Sequence, residues 1–183
     1  MNLYILRHAS AGTRRPNPQL DLKRPLDKEG KAHCLHLAHV LNALKVTFDT
    51  VVSSPRKRSL QTAQLVATET GFESRILLSD ALAPEATYAD FLRLLQQYQH
   101  SENLLVVGHS PNIQSFLGSL LVPQGPELKP ALIRMRKGTI ARVSMSRGPG
   151  VLTSVLDPRT VKALYRTSQA TSTKSSRRKT SRK

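Results

Sequence analysis

The sequence predicts an α/β protein: a three-layer α/β/α sandwich around a mostly parallel sheet, with an antiparallel hairpin at its C-terminal side. Three observations predict it. Short apolar runs alternate along the chain with stretches of helical periodicity, as they do in layered folds with a parallel sheet. Two of these runs, Leu3-Tyr4-Ile5-Leu6 and Leu104-Leu105-Val106-Val107, are apolar throughout, as strands covered on both faces are. Past Thr139 the pattern changes to two runs either side of Arg147-Gly148-Pro149-Gly150, which reads as a hairpin.

Residues 2–7 form the first expected strand, followed by a long polar loop from His8 to Leu26. Asp27 is a good N-cap for a helix over 28–44, whose apolar positions include Ala32, Leu35, Val40 and Leu44. A strand over 49–53 precedes a helix over 56–70, with Gly71 as its stop. Residues 75–78 read as a short edge strand, and 86–99 as a helix through Phe91, Leu92, Leu94, Leu95 and Tyr98. The strand over 104–108 is the most buried in character. Pro111 suits a first helical turn, so a helix follows to about residue 121. Pro123 to Pro130 reads as a loop, and strands over 139–145 and 151–156 complete the sheet.

A chain of 183 residues suits one domain, assigned to 1–165, and a tail over 166–183. The lone Cys34 excludes an internal disulfide and suits a reducing compartment. No run reaches the ~18 apolar residues of a membrane span, and the N-terminal run is cut by Arg7, unlike a signal peptide. The expectation is a cytoplasmic protein without membrane attachment. Of the formal charge of +16, the tail supplies seven (Arg166, Lys174, Arg177, Arg178, Lys179, Arg182, Lys183) with no acid, leaving +9 on residues 1–165. A body this basic favours acidic ligands. The tail, rich in Ser and Thr and without apolar periodicity, is expected to be disordered. Its charge suits an acidic partner or polyanion.

The chemistry concentrates at the strand ends. Arg7-His8 follows the first strand and Gly108-His109 the fourth, while Ser53-Ser54-Pro55-Arg56-Lys57-Arg58 leaves the second. Ligands of open α/β sheets bind at the carboxyl ends of the strands, so these loops share one crevice. Guanidinium forks match phosphate oxygens, and a neutral imidazole is a nucleophile near neutral pH. Arginines beside His8 disfavour its protonation. Helix N-termini after Pro55 and Ser110 add backbone N–H donors. The pattern points to a phosphohydrolase.

In order and spacing, five elements resemble the histidine phosphatase superfamily, also called phosphoglycerate mutase-like, and most of all its short SixA-type branch. They are Leu6-Arg7-His8-Ala9, Asp21-Leu22-Lys23-Arg24-Pro25-Leu26, Gly30, Ser53 to Ala63, and Val106-Val107-Gly108-His109-Ser110-Pro111. The resemblance implies that His8 is the nucleophile that becomes phosphorylated, with Arg7, Arg58 and His109 forming the phosphate pocket. It also implies that Glu85, with Asp90 second, stands where larger relatives keep a proton-donating acid. No cofactor or metal is implied. A SixA-type reading implies phosphohistidine on a signalling or phosphotransfer protein as substrate. The segment 79–102 is too short to form a substrate-narrowing cap.

Competing readings are a phosphatase of small phosphoesters or polyphosphate and, in another class, a nucleic-acid-binding protein using the basic tail. The scarcity of aromatics and the lack of a binding motif weigh against sequence-specific readout. His33, His36 and His39, beside Cys34, have spacing that suits a metal only pairwise, because a third residue drifts round the helix. They read instead as a polar helix face. Arg24 reads as a structural ion-pair partner, Arg56 and Lys57 as a solvated helix start, and Arg14 and Arg15 as residues of the crevice rim.

Overall fold

The computed structural model describes residues 1–122 and 133–180, with side chains as far as residue 169. The strands are β1 (Asn2–Arg7), β2 (Thr50–Ser53), β3 (Leu77–Leu78), β4 (Asn103–Gly108), β5 (Ile140–Ser144) and β6 (Val151–Leu156). They form a sheet in the order β3-β2-β4-β1-β5-β6. The first four are mutually parallel, whereas β5 runs antiparallel to β1 and β6 antiparallel to β5. The helices are α1 (Pro18–Leu22), α2 (Lys28–Ala43), α3 (Lys57–Glu69), α4 (Tyr88–Gln97), α5 (Asn112–Leu120) and α6 (Pro158–Thr180).

Strand pleating divides the core in two. Successive side chains point to opposite faces, so Tyr4 and Leu6 of β1, with Leu105 and Val107 of β4, pack on one face. There they meet Leu37 and Leu41 of α2, Ala63 and Val66 of α3, and Val161 of α6. Leu3, Ile5, Leu104 and Val106 face the other way, onto Phe91 of α4 and Ile113, Phe116 and Leu117 of α5. Phe91 stacks on Phe116 with ring centroids 4.9 Å apart. The three-layer sandwich follows directly. β1 and β4 lie inside the sheet and are buried on both sides, which is why their sequences do not alternate.

Local signals act where the sequence places them. The Asp27 carboxylate accepts from the Gly30 N–H to cap α2, and Gly71 turns with φ +82° after α3. Two elements differ from expectation. The loop between His8 and Leu26 contains α1, capped by the Asn17 side chain. The other is the C-terminal segment, expected to be disordered from residue 166 but helical as part of α6, which crosses the 165/166 boundary without a break. Asp157 starts this helix by accepting from the Arg159 N–H, Pro158 occupies its first position, and no Gly or Pro interrupts residues 159–180. The missing apolar periodicity concealed a sound helix start. The proline-bearing loop over 123–130 lies outside the described residues.

Among the described residues, no helix is long and apolar enough to cross a membrane. Cys34 is buried, and burial pushes its thiol up to about 12.

Candidate active site

Register brings the site together. β1 pairs with β4 so that Arg7 lies opposite Gly108, and the His8 N–H donates to the Gly108 carbonyl at 3.1 Å. On the other side of β4, the Ser54 N–H donates to the Val107 carbonyl at 2.9 Å. The loops carrying His8, His109 and Ser54 therefore leave the sheet side by side from three adjacent strands.

His8 is buried. Its Nδ1 lies 2.8 Å from the Ala9 carbonyl oxygen. A carbonyl only accepts, so Nδ1 carries the proton and Nε2 keeps a free lone pair. Burial, opposed by the Ala9 hydrogen bond and reinforced by the charges of Arg58, Arg7 and Lys137, lowers the imidazole to about 3. The ring is thus neutral at physiological pH.

The His109 ring lies 4.9 Å from that of His8, centroid to centroid. Its Nε2 is within hydrogen-bond distance of Ser54 Oγ (2.9 Å) and Ser59 Oγ (3.1 Å), leaving Nδ1 buried and unpaired. Burial, then the charges of His8, Arg58, Arg56 and Arg7, lowers His109 to about 2. Both imidazoles sit in a field that repels protons and attracts anions.

The two arginines are held from behind. Arg7 Nη1 donates to the Met135 carbonyl at 2.7 Å. Arg58 Nη1 donates to the Asp21 carbonyl at 3.0 Å and lies 3.4 Å from Asp21 Oδ2. The Nε atoms of both arginines are buried without a partner. Such uncommitted N–H groups favour an incoming oxyanion. Neither N-cap residue, Arg56 of α3 nor Pro111 of α5, makes a side-chain cap hydrogen bond.

Several residues of the motifs noted in the sequence support the site from outside it. Asp21 anchors Arg58 and pairs with Arg24 Nε at 2.8 Å, the structural role expected of Arg24. Burial opposes the charge on Asp21, but the Arg15 N–H, Arg24 and Arg58 outweigh it and hold the carboxyl down at about 2. Thr62 Oγ1 accepts from the Ala9 N–H at 3.1 Å, and the Gln61 side chain accepts from the Leu26 N–H. These two bonds tie the loop after His8 to α3. The segment 135–138, before the strand expected from Thr139, carries no local signal in the sequence. Its Gly138 N–H lies against the Arg7 and His8 carbonyls at 3.0 and 3.2 Å, while the Gly138 carbonyl meets His33 Nε2 at 2.9 Å. Gly138 has φ +84°, and a Cβ there would stand 2.3 Å from the His33 ring. Only glycine lets this strap lie so close behind the site.

The acid candidates are placed differently. Glu85 lies on an exposed loop, with its carboxylate ion-paired to Arg56. That loop is anchored by Asn112 Nδ2, which donates to the Pro84 and Ala86 carbonyls at 2.7 and 2.9 Å. Arg56 is thus largely covered and engaged, contrary to the solvated role expected of it. Asp90 forms a capping box with Thr87 at the start of α4 and pairs with Arg93, so its oxygens serve the helix. His33, His36 and His39 do not converge. His33 takes the Gly138 carbonyl, His36 stacks on Tyr165 at 4.0 Å, and His39 Nε2 meets Ser168 Oγ at 3.0 Å. No group of three or more potential metal ligands occurs among the described residues.

A neutral imidazole with a free Nε2, faced by a second imidazole and two guanidinium groups, is equipped to accept a tetrahedral anion and attack it. Such a site suits the binding of a phosphoryl group. The profile of the histidine phosphatase superfamily (branch 1) matches residues 3–83. An uncharacterized protein of Picosynechococcus sp. is 30% identical over 145 residues, spanning 75% of this chain and 86% of that protein. The chain belongs to the histidine phosphatase superfamily, a class of phosphatases. Its fold matches the protein histidine phosphatase SixA complexed with tungstate, with a TM-score of 0.75 and 23% identity over 88% of this chain and 99% of that one. It also matches a phosphoserine phosphatase mutant of Entamoeba histolytica, with a TM-score of 0.64 and 17% identity over 87% of this chain and 98% of that one. The architecture is the phosphoglycerate mutase-like sandwich predicted from the sequence.

Proposed function

We propose that this protein is a metal-independent phosphatase that removes phosphoryl groups from phosphohistidine on a signalling or phosphotransfer protein. The observation that carries this reading is the free Nε2 of His8, fixed by the Nδ1 bond to Ala9 beside Arg7, Arg58 and His109. His8 Nε2 attacks phosphorus as the P–N bond breaks in a phosphohistidine protonated on its other ring nitrogen, so the leaving group keeps the electron pair and departs as neutral imidazole. Water then attacks phospho-His8, releasing inorganic phosphate and restoring the neutral imidazole. Arg7, Arg58 and His109 balance the charge on the equatorial oxygens, the task that metal ions perform in other phosphoryl-transfer sites.

The choice of phosphohistidine rests on the leaving group. Imidazole is a far better leaving group than an alkoxide, and it needs little help from a general acid. The acid candidates fit that demand, because Glu85 is ion-paired to Arg56 and Asp90 is committed to a helix cap. The fold likeness to a histidine phosphatase supports the same reading.

Trapping with labelled phosphohistidine protein tests it. A phosphoenzyme that is acid-labile and base-stable is expected, and His8→Ala should abolish both it and turnover. An acid-stable phosphoester would overturn the assignment. Rates should rank phosphohistidine above aryl phosphates and alkyl phosphates last. Glu85→Gln should barely change the first, whereas loss of an obligate acid typically costs ~10²–10⁴-fold. Faster turnover of phosphoserine would assign the site to small phosphoesters instead.

A further inference from the structure

Next to the loop that follows His8 lies a cavity of about 300 Å³, between α2, the start of α6 and the strap before β5. It is at the small end of ligand pockets, which run ~300–1,000 Å³. Three exposed cations line it, Lys137, Arg159 and Lys162, against a single carboxylate, Glu29. None of the three cations takes part in an ion pair among the described residues. The nearby Asp157 is already bound to Arg136 at 2.7 Å. Lys137 and Arg159 also act on the carboxylates of Asp27 and Asp157, yet with Arg136 and Arg166 included the cations around the cavity outnumber the carboxylates, and Lys162 and Arg166 help to hold His36 below its ordinary range after burial.

This cavity adjoins the loop that follows His8. Ser10, two residues beyond His8, forms part of its wall, and the charge of Lys137 reaches the His8 imidazole. The lining is not purely ionic. Ala32, Pro158 and the rings of His33 and His36 give it an apolar floor. An inorganic polyanion has no use for such a floor, whereas a polypeptide does.

We propose that this cavity is a docking subsite for an acidic segment of the substrate polypeptide, whose carboxylates meet Lys137, Arg159 and Lys162 while its phosphorylated side chain enters the His8 site. The inference rests on the reading of the protein as a protein phosphatase, and it adds sequence preference to that reading. Each contact is a partly exposed ion pair, so each contributes modestly; two together shift affinity by about five- to tenfold.

Paired phosphotyrosine peptides, one flanked by glutamates and one by glutamines, read this subsite even if phosphohistidine is not the preferred group. The wild-type protein should favour the acidic peptide by about five- to tenfold in kcat/KM, through KM. The double variant Arg159→Gln/Lys162→Gln should lose that preference while hydrolysing p-nitrophenyl phosphate as before, and 0.5 M salt should abolish the preference in the wild type. Absence of an acidic preference, or its survival in the double variant, would overturn the proposal. So would an equal loss with p-nitrophenyl phosphate, which would place these cations in the reaction itself. Tripolyphosphate is the control polyanion. If its inhibition depends on Arg159 and Lys162 and the peptide preference does not, the cavity serves inorganic polyanions instead.

Discussion

At the residue scale, the protonation of two imidazoles decides how the site behaves. His8 and His109 are held far below the ordinary histidine value, to about 3 and about 2, mainly by burial and then by neighbouring positive charge. Their NMR signals should therefore not titrate between pH 8 and pH 5. A midpoint near 6.5 for either ring would show that solvent or a counter-charge reaches it. The same shift links to stability. An unfolded chain takes up protons at these histidines as pH falls below about 6.5, while the folded chain does not until about 3 and 2. Because only the unfolded chain gains those protons, the folded state has its full stability above the unfolded value and loses it progressively as pH falls towards the folded ones. Melting temperature should drop from pH 7 to pH 5, and less steeply in His8→Ala. An unchanged slope in that variant would assign the acid sensitivity to other groups.

At the scale of elements, the site depends on how tightly α2 meets the loop after His8. Gly30 sits in the first turn of α2 against the backbone of Ser10, and a Cβ there would stand 2.0 Å from the Ser10 carbonyl oxygen. The contact is with backbone, so no rotamer change relieves it. Asp27 reinforces the junction, since its Oδ2 accepts from Ser10 Oγ and from the Gly12 N–H while Oδ1 caps the helix. Gly30→Ala should destabilise the fold by about 1–3 kcal/mol, the usual cost of overpacking. Because Ser10 lies two residues from His8, the proposed nucleophile, turnover should fall as well. Denaturant unfolding and aryl-phosphate kinetics on one preparation check both effects. Lost stability with full turnover would mean that α2 moves and the loop does not.

For the molecule as a whole, α6 is the element that joins the basic C-terminal segment to the folded body. It packs on α2 through Tyr165, which stacks on His36 and meets His39 edge-on at 5.1 Å. Aromatic contacts of this kind are worth ~0.5–1.5 kcal/mol. Tyr165→Ala should cost about 1 kcal/mol of stability and leave aryl-phosphate turnover unchanged, because neither His36 nor His39 belongs to the nucleophile site. A large loss of turnover would show that α6 supports the strap over 135–139 more directly than its contacts indicate. The overall charge of +16 acts at longer range, drawing acidic macromolecules toward the surface in a salt-dependent way.

The sequence by itself determined the layers, the order of strands and of the helices other than α1, the strand-end positions of His8 and His109, and the place of Arg58 at the start of α3. These follow from hydrophobic periodicity, from helix caps such as Asp27, and from punctuation such as Gly71, all of which act over a few residues. It also held enough ordered motif to place the chain in its superfamily. Only tertiary structure decided who holds what. Arg7 meets a carbonyl 128 residues away, His33 one 105 residues away, and Arg56 takes a carboxylate 29 residues away. No local pattern encodes such partners, because they depend on sheet register and on which helix face meets which loop. The same reason explains the misread elements. Asp90 looked available in sequence and is used by its own helix cap, while the part of α6 past residue 165 looked disordered because its Ser- and Thr-rich sequence shows no apolar periodicity. A charged cavity formed by Ser10, Lys137 and Arg159 exists only once β5 and α6 have packed beside β1 and α2, so no reading of the chain alone could have found it.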